Sequence, residues 1–243
     1  MDSWQNRYLN RYYRSIPGWV DGTTEFHELI RHHAKSFISV LELGCGSTNN
    51  TSRFLKSHFK RVEGLDVDPR AATNAHLDQF HLYRGGIWPL SSDTYDAIVA
   101  NYVFEHVSNP AGLAREAFRV LKPDGLLMFR TPNLLHYVSL IARLTPHWFH
   151  RLVSNQLRNM KAESVEPYET HHRLNTKRKI WKIFRNAGFR EVELRMIEKE
   201  PSYGLSSRTL FLFFMFYERM MNRYSGLVDL RANILGVYRK EVR

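Results

Sequence analysis

The feature that most constrains the fold is a glycine-containing turn that directly follows a short apolar run. Residues 37–43 form the run, and the turn after it carries Gly44 and Gly46 in the sequence VLELGCGSTN. Glycine allows a tight turn and lets a ligand approach the main chain without a Cβ in the way. The pattern predicts a buried strand that ends in a binding loop.

Short apolar runs of the same kind recur along the chain and alternate with stretches of helical periodicity. The runs lie at 61–65, 95–100 and 125–130, and the helical stretches at 50–59, 70–77 and 111–121. A further helix is predicted at 176–186, with strands at 191–196 and 234–238. Alternation of this kind predicts an α/β fold with a doubly wound, mostly parallel sheet. We predict one domain over residues 1–243, with helical insertions at about 134–170 and 201–231.

Composition narrows the class of protein. The single cysteine, Cys45, excludes an internal disulfide and a multi-cysteine metal site. The first residues contain no apolar segment of the secretory type, so we expect a cytoplasmic protein. The formal net charge of +11 predicts attraction to an anionic partner. The basic residues are spread along the chain and do not select among nucleic acid, anionic lipid and acidic substrates.

The residues around the turn indicate which ligand it holds. A turn before a helix can bind a phosphate or a carboxylate. The loop lacks the Lys-Ser/Thr pair of a P-loop, and Asn49 stands where a dinucleotide-binding fingerprint has its third glycine. Glu42 repels pyrophosphate but suits a ligand that carries an ammonium and a sulfonium. Asp66, at the end of the next run, suits a ribose diol. Together these residues predict a cationic nucleoside as the ligand.

Four segments in order resemble the class I S-adenosylmethionine-dependent methyltransferases, especially their ubiquinone-biosynthesis-like branch. They are VLELGCG, VEGLDVDP, YDAIVANYVFEHV and FRVLKPDGLLMFRTPN, and they run from Val40 to Asn133. Weaker similarity continues at 172–174, 187–189 and 235–238. The resemblance implies a Rossmann-like, seven-stranded sheet with a reversed last strand. It also implies that S-adenosylmethionine lies across the carboxyl ends of the first strands.

The resemblance assigns parts of the cofactor to parts of the chain. The methionine part would be faced by Glu42, Gly44 and Gly46. The ribose would be faced by Asp66, and the adenine by the segment around Gly86 and Ile87. The predicted cofactor-binding residues are Glu42, Gly44, Cys45, Gly46, Asp66, Val67, Gly86, Ile87 and Asn101. The chain departs from the family at Thr48, where a third glycine is usual. It also lacks the usual aspartate near the adenine. Backbone groups and packing by Ile87 or Trp88 would then replace the contact of that carboxylate with the adenine.

The acceptor side is less specified by the sequence. A sulfonium is already a reactive methyl donor, so the protein mainly has to align a nucleophile and exclude water. A histidine would help to deprotonate a hydroxyl acceptor. The predicted catalytic residues are His106, His136 and His171, and for His106 a bracing role is an equal alternative. Glu105-His106 resembles a metal-touching motif of the ubiquinone O-methyltransferases, but Tyr102 replaces their upstream carboxylate, so we predict no metal.

A run at 210–217, LFLFFMFY, is apolar on every face and is followed by Arg219 and Arg223. It is too short to span a bilayer, so it is either buried against the sheet or lies against lipid or a partner. We predict a small-molecule or lipid-, polyprenyl- or sugar-linked acceptor, with O-methylation as the reaction. Peripheral contact with an anionic membrane at its inner face is a further hypothesis.

Three other functions compete with this interpretation. An RNA methyltransferase would suit the net charge, but the sequence shows no RNA-binding module or basic-aromatic stacking motif, so nucleic acid is not the predicted partner. A cofactor-binding partner protein without catalysis is the second alternative. A nicotinamide-dependent oxidoreductase is disfavoured by the absent third glycine. The sequence does not predict the oligomeric state.

Overall fold

The structure, a computed structural model, describes residues 3–47, 50–137, 169–201 and 207–241. The chain divides into two compact units. The sheet unit consists of the described residues of Phe26–Pro132, Glu169–Arg195 and Ile234–Arg243. The helical unit consists of those of Met1–Glu25, Asn133–Tyr168 and Met196–Asn233. That residues 1–243 form one domain stays a prediction.

Seven strands form one sheet in the order β3-β2-β1-β4-β5-β7-β6. Strands β1 to β5 pair in parallel with their neighbours, and the last strands are antiparallel. This confirms the predicted doubly wound, Rossmann-like sheet with a reversed last strand. The strands are β1 Ser39–Leu43, β2 Arg61–Asp66, β3 Gln79–Leu82, β4 Tyr95–Asn101, β5 Leu121–Pro132, β6 Phe189–Ile197 and β7 Asn233–Lys240.

The register places the carboxyl ends of the central strands together at one end of the sheet. Leu43 of β1 pairs with Leu65 of β2 and with Ala100 of β4. Asn101, at the end of β4, pairs with Arg130 of β5. Ligands of open α/β sheets bind at the carboxyl ends of the strands. A site is therefore expected among the polar residues that follow these strands.

Six helices are described. They are α1 Trp4–Leu9, α2 Gly22–His33, α3 Asn50–His58, α4 Pro110–Val120, α5 Lys177–Asn186 and α6 Arg208–Arg223. Short turns of other helix types occur at Asn10–Arg14, Pro69–Thr73, Phe104–His106 and Ser225–Leu230. Helices α3, α4 and α5 agree with the predicted stretches to within one or two residues.

The helix predicted at 70–77 is wrong in length. Asp68 caps a short 3₁₀ turn by accepting a hydrogen bond from the Arg70 N–H, as the Asp-Pro pair predicts. The turn ends at Thr73 because Asn74 is extended, with a φ of −70° and a ψ of 105°. The Asn74 side chain is buried and bonds to the loop after β1, so tertiary contacts stop the helix.

Buried aromatic rings form part of the core of the sheet unit. Phe129 of β5 lies 4.7 Å from Phe104 and 5.9 Å from Tyr238, measured between ring centroids. Phe184 of α5 contacts the same rings. All four side chains are almost fully buried. Helix α5 is therefore fixed against the sheet, with its cationic residues directed outwards.

The helical unit contains α1 and α6, whose aromatic residues pack together. Phe211 of α6 is fully buried, and its ring contacts those of Trp4, Tyr8 and Tyr13. The predicted insertion at 201–231 contains α6, whereas most of the one predicted at 134–170 lies outside the described residues. Among the described residues, no helix is long and apolar enough to cross a membrane.

Candidate functional site

The turn after β1 assigns different tasks to its two glycines. Gly44 and Gly46 both have left-handed backbones, with φ values of +62° and +58°. A Cβ on Gly44 would lie 2.6 Å from Cγ2 of Val103, so this position has no room for a side chain. A Cβ on Gly46 would meet no atom within 4 Å. Gly44 therefore permits close packing of the turn on the loop after β4, while Gly46 leaves its main chain open to a ligand.

Asp66 ends β2 and binds the turn directly. Its Oδ2 accepts a hydrogen bond from the Gly46 N–H at 2.9 Å, and its Oδ1 accepts one from the Asp68 N–H at 2.9 Å. A carboxylate offers about four acceptor positions, so two remain after these contacts. The Asp66 side chain is thus held in place by the main chain and retains the capacity to accept from a diol.

Glu42 lies at the end of a chain of hydrogen bonds. The Ser52 hydroxyl donates to Glu42 Oε2 at 2.6 Å, and the Asn74 amide donates to Ser52 Oγ at 2.9 Å. The same Asn74 amide group donates to the carbonyls of Cys45 at 3.2 Å and Gly46 at 3.0 Å. Asn74 therefore fixes both the loop and, through Ser52, the carboxylate of Glu42.

The Cys45 side chain points into the protein core. It is fully buried, and a Cβ added to Gly64 of β2 would lie 2.6 Å from its sulfur. Burial, together with the carboxylates of Asp66 and Glu42, raises the pKa of the Cys45 thiol well above its ordinary value. The thiol is therefore neutral and unsuited to nucleophilic attack. Only the main chain of Cys45 is suited to contact a ligand.

Asn101 joins the ends of β4 and β5. Its Nδ2 donates to Thr51 Oγ1 at 2.9 Å, and its Oδ1 accepts a hydrogen bond from Arg130 Nε at 2.8 Å. The Arg130 side chain is buried, and its guanidinium lies 4.5 Å from the centroid of the Tyr102 ring. Tyr102 has a left-handed backbone, with a φ of +57°. The strand ends thus carry a cation, Arg130, beside the predicted Asn101. No sequence motif marks Arg130 as part of the site.

The segment predicted to face the adenine contains both an exposed and a buried side chain. Ile87 is 77% exposed, whereas Trp88 is 5% exposed. The Trp88 N–H donates to Glu116 Oε2 at 2.8 Å, so this residue is bound to α4. Gly86 has a φ of +80°, with open space where a Cβ would lie. Ile87, rather than Trp88, is therefore the side chain free to cover a ligand. Val67 is also exposed.

Two of the three predicted catalytic histidines lie in the sheet unit. Nδ1 of His106 lies 2.9 Å from the Glu169 carbonyl oxygen. Because a carbonyl can only accept, Nδ1 carries the proton, and a neutral His106 has its lone pair on Nε2. The ring of His171 approaches the same residue, with Nδ1 3.7 Å from Glu169 Oε1. The backbone N–H of His171 donates to the Glu105 carbonyl. His106 and His171 are therefore neighbours around Glu169.

His136 belongs to the helical unit and has different surroundings. It is 4% exposed, and its ring contacts those of Tyr137 and Tyr217. Its Nε2 lies 3.5 Å from Glu198 Oε2. The Glu198 carboxylate accepts a hydrogen bond from the Ala232 N–H, which fixes its position, whereas Nε2 of His136 is buried without a hydrogen-bond partner among the described residues. The His136 ring is therefore held by aromatic contacts and lies beside a carboxylate.

A buried polar network lies directly beside His106. Thr131 of β5 donates to Glu105 Oε2 at 3.3 Å, and Asn175 Nδ2 donates to Thr131 Oγ1 at 2.7 Å. Burial raises the pKa of the Glu105 carboxyl, although the charges of His106 and Arg130 and the Thr131 hydroxyl oppose this. In the sequence, Glu105 stands out only as the neighbour of His106. The buried strand end around Thr131 gave no signal of the network.

The comparisons with known proteins agree on the family. A family model described as a methyltransferase domain matches residues 10–194. A Mycolicibacterium smegmatis protein named probable S-adenosylmethionine-dependent methyltransferase is 29% identical over 194 residues, which cover 75% of this chain and 71% of that one.

Two further similarities are more limited. The malonyl-[acyl-carrier protein] O-methyltransferase of Bacillus anthracis is 31% identical over 107 residues, or 42% of this chain. That match spans only 40% of the relative. The crystal structure of an S-adenosylmethionine-dependent methyltransferase from Mesorhizobium loti shares the fold, with a TM-score of 0.53 and 17% identity over 84% of this chain and 90% of that one.

Three findings identify the family: the order of the strands in the sheet, the match of the family model to residues 10–194, and the similarity to these relatives. The chain belongs to the methyltransferase domain family and is a class I methyltransferase whose cofactor is S-adenosylmethionine.

Proposed function

We propose that S-adenosylmethionine binds at the carboxyl ends of β1, β2 and β4. The open side of Gly46 would admit the ligand to the main chain, and the carboxylates of Glu42 and Asp66 suit its ammonium and its ribose hydroxyls. Gly44 and Cys45 would shape the turn. Val67, Gly86, Ile87 and Asn101 complete the proposed cofactor-binding set. When bound, the cofactor supplies an electrophilic methyl group.

We propose that the reaction is O-methylation and that His106 is the general base. The observation that carries this proposal is the contact of His106 Nδ1 with the Glu169 carbonyl at 2.9 Å, which fixes the tautomer and the orientation of this ring in the loop after β4. A base of this kind removes the proton of a hydroxyl as the new bond forms. His171 would assist by orienting the acceptor. Burial of His136 beside Glu198 favours a structural role for that residue.

The acceptor we propose is a small molecule carrying a hydroxyl, or such a group on a lipid-, polyprenyl- or sugar-linked carrier. Oxygen as the methylated atom is supported by the Bacillus anthracis relative, whose name states an O-methyltransferase. The similarity to that protein covers only 42% of this chain, so we do not propose its malonyl substrate for this chain. We further propose that the enzyme works in the cytoplasm in peripheral contact with the membrane.

The decisive experiment follows a labelled methyl group. Cell extract is incubated with the protein and isotopically labelled S-adenosylmethionine, and labelled products are identified by mass spectrometry. The assay is then repeated with His106→Ala, His171→Ala and His136→Ala. His32→Ala, at an exposed position of α2, is the matched control.

We expect His106→Ala to lower kcat by about 10²- to 10⁴-fold, while the Kd for S-adenosylhomocysteine is unchanged. Unchanged turnover in all three histidine variants would mean that the reaction is driven only by positioning the acceptor against the methyl group. Absence of any labelled product would favour the cofactor-binding partner protein without catalysis.

The salt dependence of turnover distinguishes the proposed enzyme from an RNA methyltransferase. Neutralisation of phosphates makes nucleic-acid binding fall steeply with salt concentration. We therefore expect turnover on a small acceptor to persist at high salt. A steep loss of turnover, with labelled RNA among the products, would replace the present proposal.

A further inference from the structure

One face of α6 exposes large apolar side chains. Phe213 is 63% exposed, Phe216 is 62% exposed and Leu212 is 39% exposed. The spacing of three and four residues places them next to one another on the helix surface. Single exposed apolar residues are ordinary, but adjacent exposed aromatic rings indicate an interaction surface. We call Leu212, Phe213 and Phe216 the apolar ridge of α6.

The orientation of α6 is fixed from its opposite side. Phe211 is buried among aromatic rings, as described above, and Met221 is 4% exposed. The ring of Phe214 stacks on that of Tyr137, with centroids 5.3 Å apart. Because these contacts set the rotation of the helix, the apolar ridge is presented outwards by the packing.

The charges on α6 are arranged asymmetrically. Two of its basic residues, Arg208 and Arg223, are exposed and lie on the side of the apolar ridge by helical spacing. The guanidinium of the third, Arg219, donates to the Tyr12 carbonyl at 2.8 Å and lies 5.2 Å from the centroid of the Tyr13 ring. Its only acidic residue, Glu218, is buried and accepts hydrogen bonds from Tyr13 and Asn222. The exposed face of α6 therefore combines aromatic and aliphatic side chains with arginines and carries no carboxylate.

We propose that this face of α6 docks on the surface of an anionic lipid bilayer, with the helix axis in the plane of the surface. The apolar ridge enters the boundary between headgroups and acyl chains, and Arg208 and Arg223 bind the headgroup phosphates. Helices with this arrangement bind membranes through buried apolar area together with attraction to anionic lipids. The proposal rests on the membrane contact proposed above, and it assigns that contact to named residues and to one lipid charge class.

The same charges disfavour a second copy of the chain as the occupant. Two copies that meet through this face about a twofold axis would place arginines against arginines with no carboxylate between them. An anionic bilayer removes this repulsion. It also accepts the three side chains of the apolar ridge without requiring a complementary protein groove.

The test is flotation of the intact chain with vesicles. Vesicles of phosphatidylcholine are compared with vesicles that also contain phosphatidylglycerol. The variants are Phe213→Ser/Phe216→Ser and Arg208→Gln/Arg223→Gln. The matched control is Trp181→Ser/Lys182→Gln, which also removes an exposed aromatic ring and a cation, but from α5. Thermal unfolding verifies that each variant is folded.

We expect binding to the phosphatidylglycerol vesicles alone. Each arginine removed should weaken this binding by about fivefold, and the double phenylalanine change should weaken it at least as much. The α5 control should bind like the unmodified chain. Equal binding to both vesicle types, or loss only in the α5 control, would overturn the proposal. So would a dimer in light scattering that the phenylalanine changes dissociate without any vesicle binding.

Methyl transfer to a water-soluble acceptor is measured in parallel with the same variants. If vesicle binding fails while methyl transfer persists, only the docking proposal is overturned. If vesicles bind but no acceptor is methylated, the docking proposal stands and the proposed function fails.

Discussion

Alanine at Gly44 and alanine at Gly46 should have different consequences, although the two glycines are two residues apart. Both have a positive φ, so alanine at either position adopts a left-handed backbone that costs about 1–2 kcal/mol. At Gly44 the new Cβ also meets Val103 at 2.6 Å, and overpacking of this kind costs about 1–3 kcal/mol more. At Gly46 no atom lies within 4 Å, so the backbone cost stands alone.

The two effects are separated by measuring stability and affinity on the same samples. For a chain of this size 1 kcal/mol corresponds to about 2–4 °C in Tm, so Gly46→Ala should lower Tm by about 2–8 °C. Gly44→Ala should lower it further. The methyl group of Gly46→Ala occupies the side proposed to face the cofactor. We therefore expect the Kd for S-adenosylhomocysteine in calorimetry to rise about tenfold or more, which corresponds to about 1.4 kcal/mol.

Gly18→Ala is the matched control for this experiment. Gly18 has a φ of +76° and open space where a Cβ would lie, but it belongs to the helical unit. Its alanine variant should lose stability like Gly46→Ala and keep the affinity for S-adenosylhomocysteine. If Gly46→Ala binds this ligand as tightly as the unmodified chain, the open side of Gly46 is not the ligand side, and the proposed site is wrong.

Three further predictions concern single polar groups. Asp66→Asn replaces one acceptor oxygen by a donor, so calorimetry should show the Kd for S-adenosylhomocysteine rising by about tenfold or more, whereas unchanged affinity would exclude a ribose contact. Burial raises the pKa of the Glu218 carboxyl, so its contribution to stability is present below its unfolded pKa and is lost as pH rises through the folded pKa. Glu218→Gln, which can still accept from Tyr13, should reduce this loss in denaturant titrations above about pH 5; an identical pH dependence would contradict it. Asn175→Ala removes the donor to Thr131 in a fully buried position and should cost about 1–3 kcal/mol in chemical denaturation, and a neutral result would show that the network is not needed for stability.

The sequence predicts six of the seven strands and misses β3, one of the two edge strands. β1, β2, β4 and β5 are apolar runs that end in turn residues, which is the pattern of a buried parallel strand. β3, at Gln79–Leu82, is four residues long and only partly buried, and it went unpredicted. It is a strand because it pairs with β2, and pairing across a sheet edge leaves little trace in a short sequence.

The predicted cofactor residues are grouped at the strand ends, but their supports could not be predicted. The VLELGCG motif predicts a turn with glycines, yet the different tasks of Gly44 and Gly46 depend on Val103, which lies far along the chain. Arg130 reads as the end of an apolar strand, and its contact with Asn101 exists only in the folded sheet. Contacts of this kind are set by tertiary packing, so a local pattern does not contain them.

The apolar run at 210–217 illustrates a related limit. Its residues are apolar on every face, so periodicity could not decide whether it is buried or exposed. In the structure Phe211 is buried while Phe213 and Phe216 are exposed. The difference arises from α1, whose aromatic residues cover one side of the helix. The buried side of the segment packs on the aromatic residues of α1, and contact of its exposed side with lipid or a partner stays a proposal.

Asn74 has a consequence for engineering the enzyme towards cofactor analogues with bulkier transferable groups. Its amide hydrogens are shared among the carbonyls of Cys45 and Gly46 and the hydroxyl of Ser52, which in turn holds Glu42. Mutant libraries confined to the proposed ligand-contacting residues would leave the hydrogen bonds of Asn74 intact and keep the loop in one conformation. Libraries that also vary positions 74 and 52 would let the loop and its carboxylate shift together, which is the change that a larger sulfonium substituent requires.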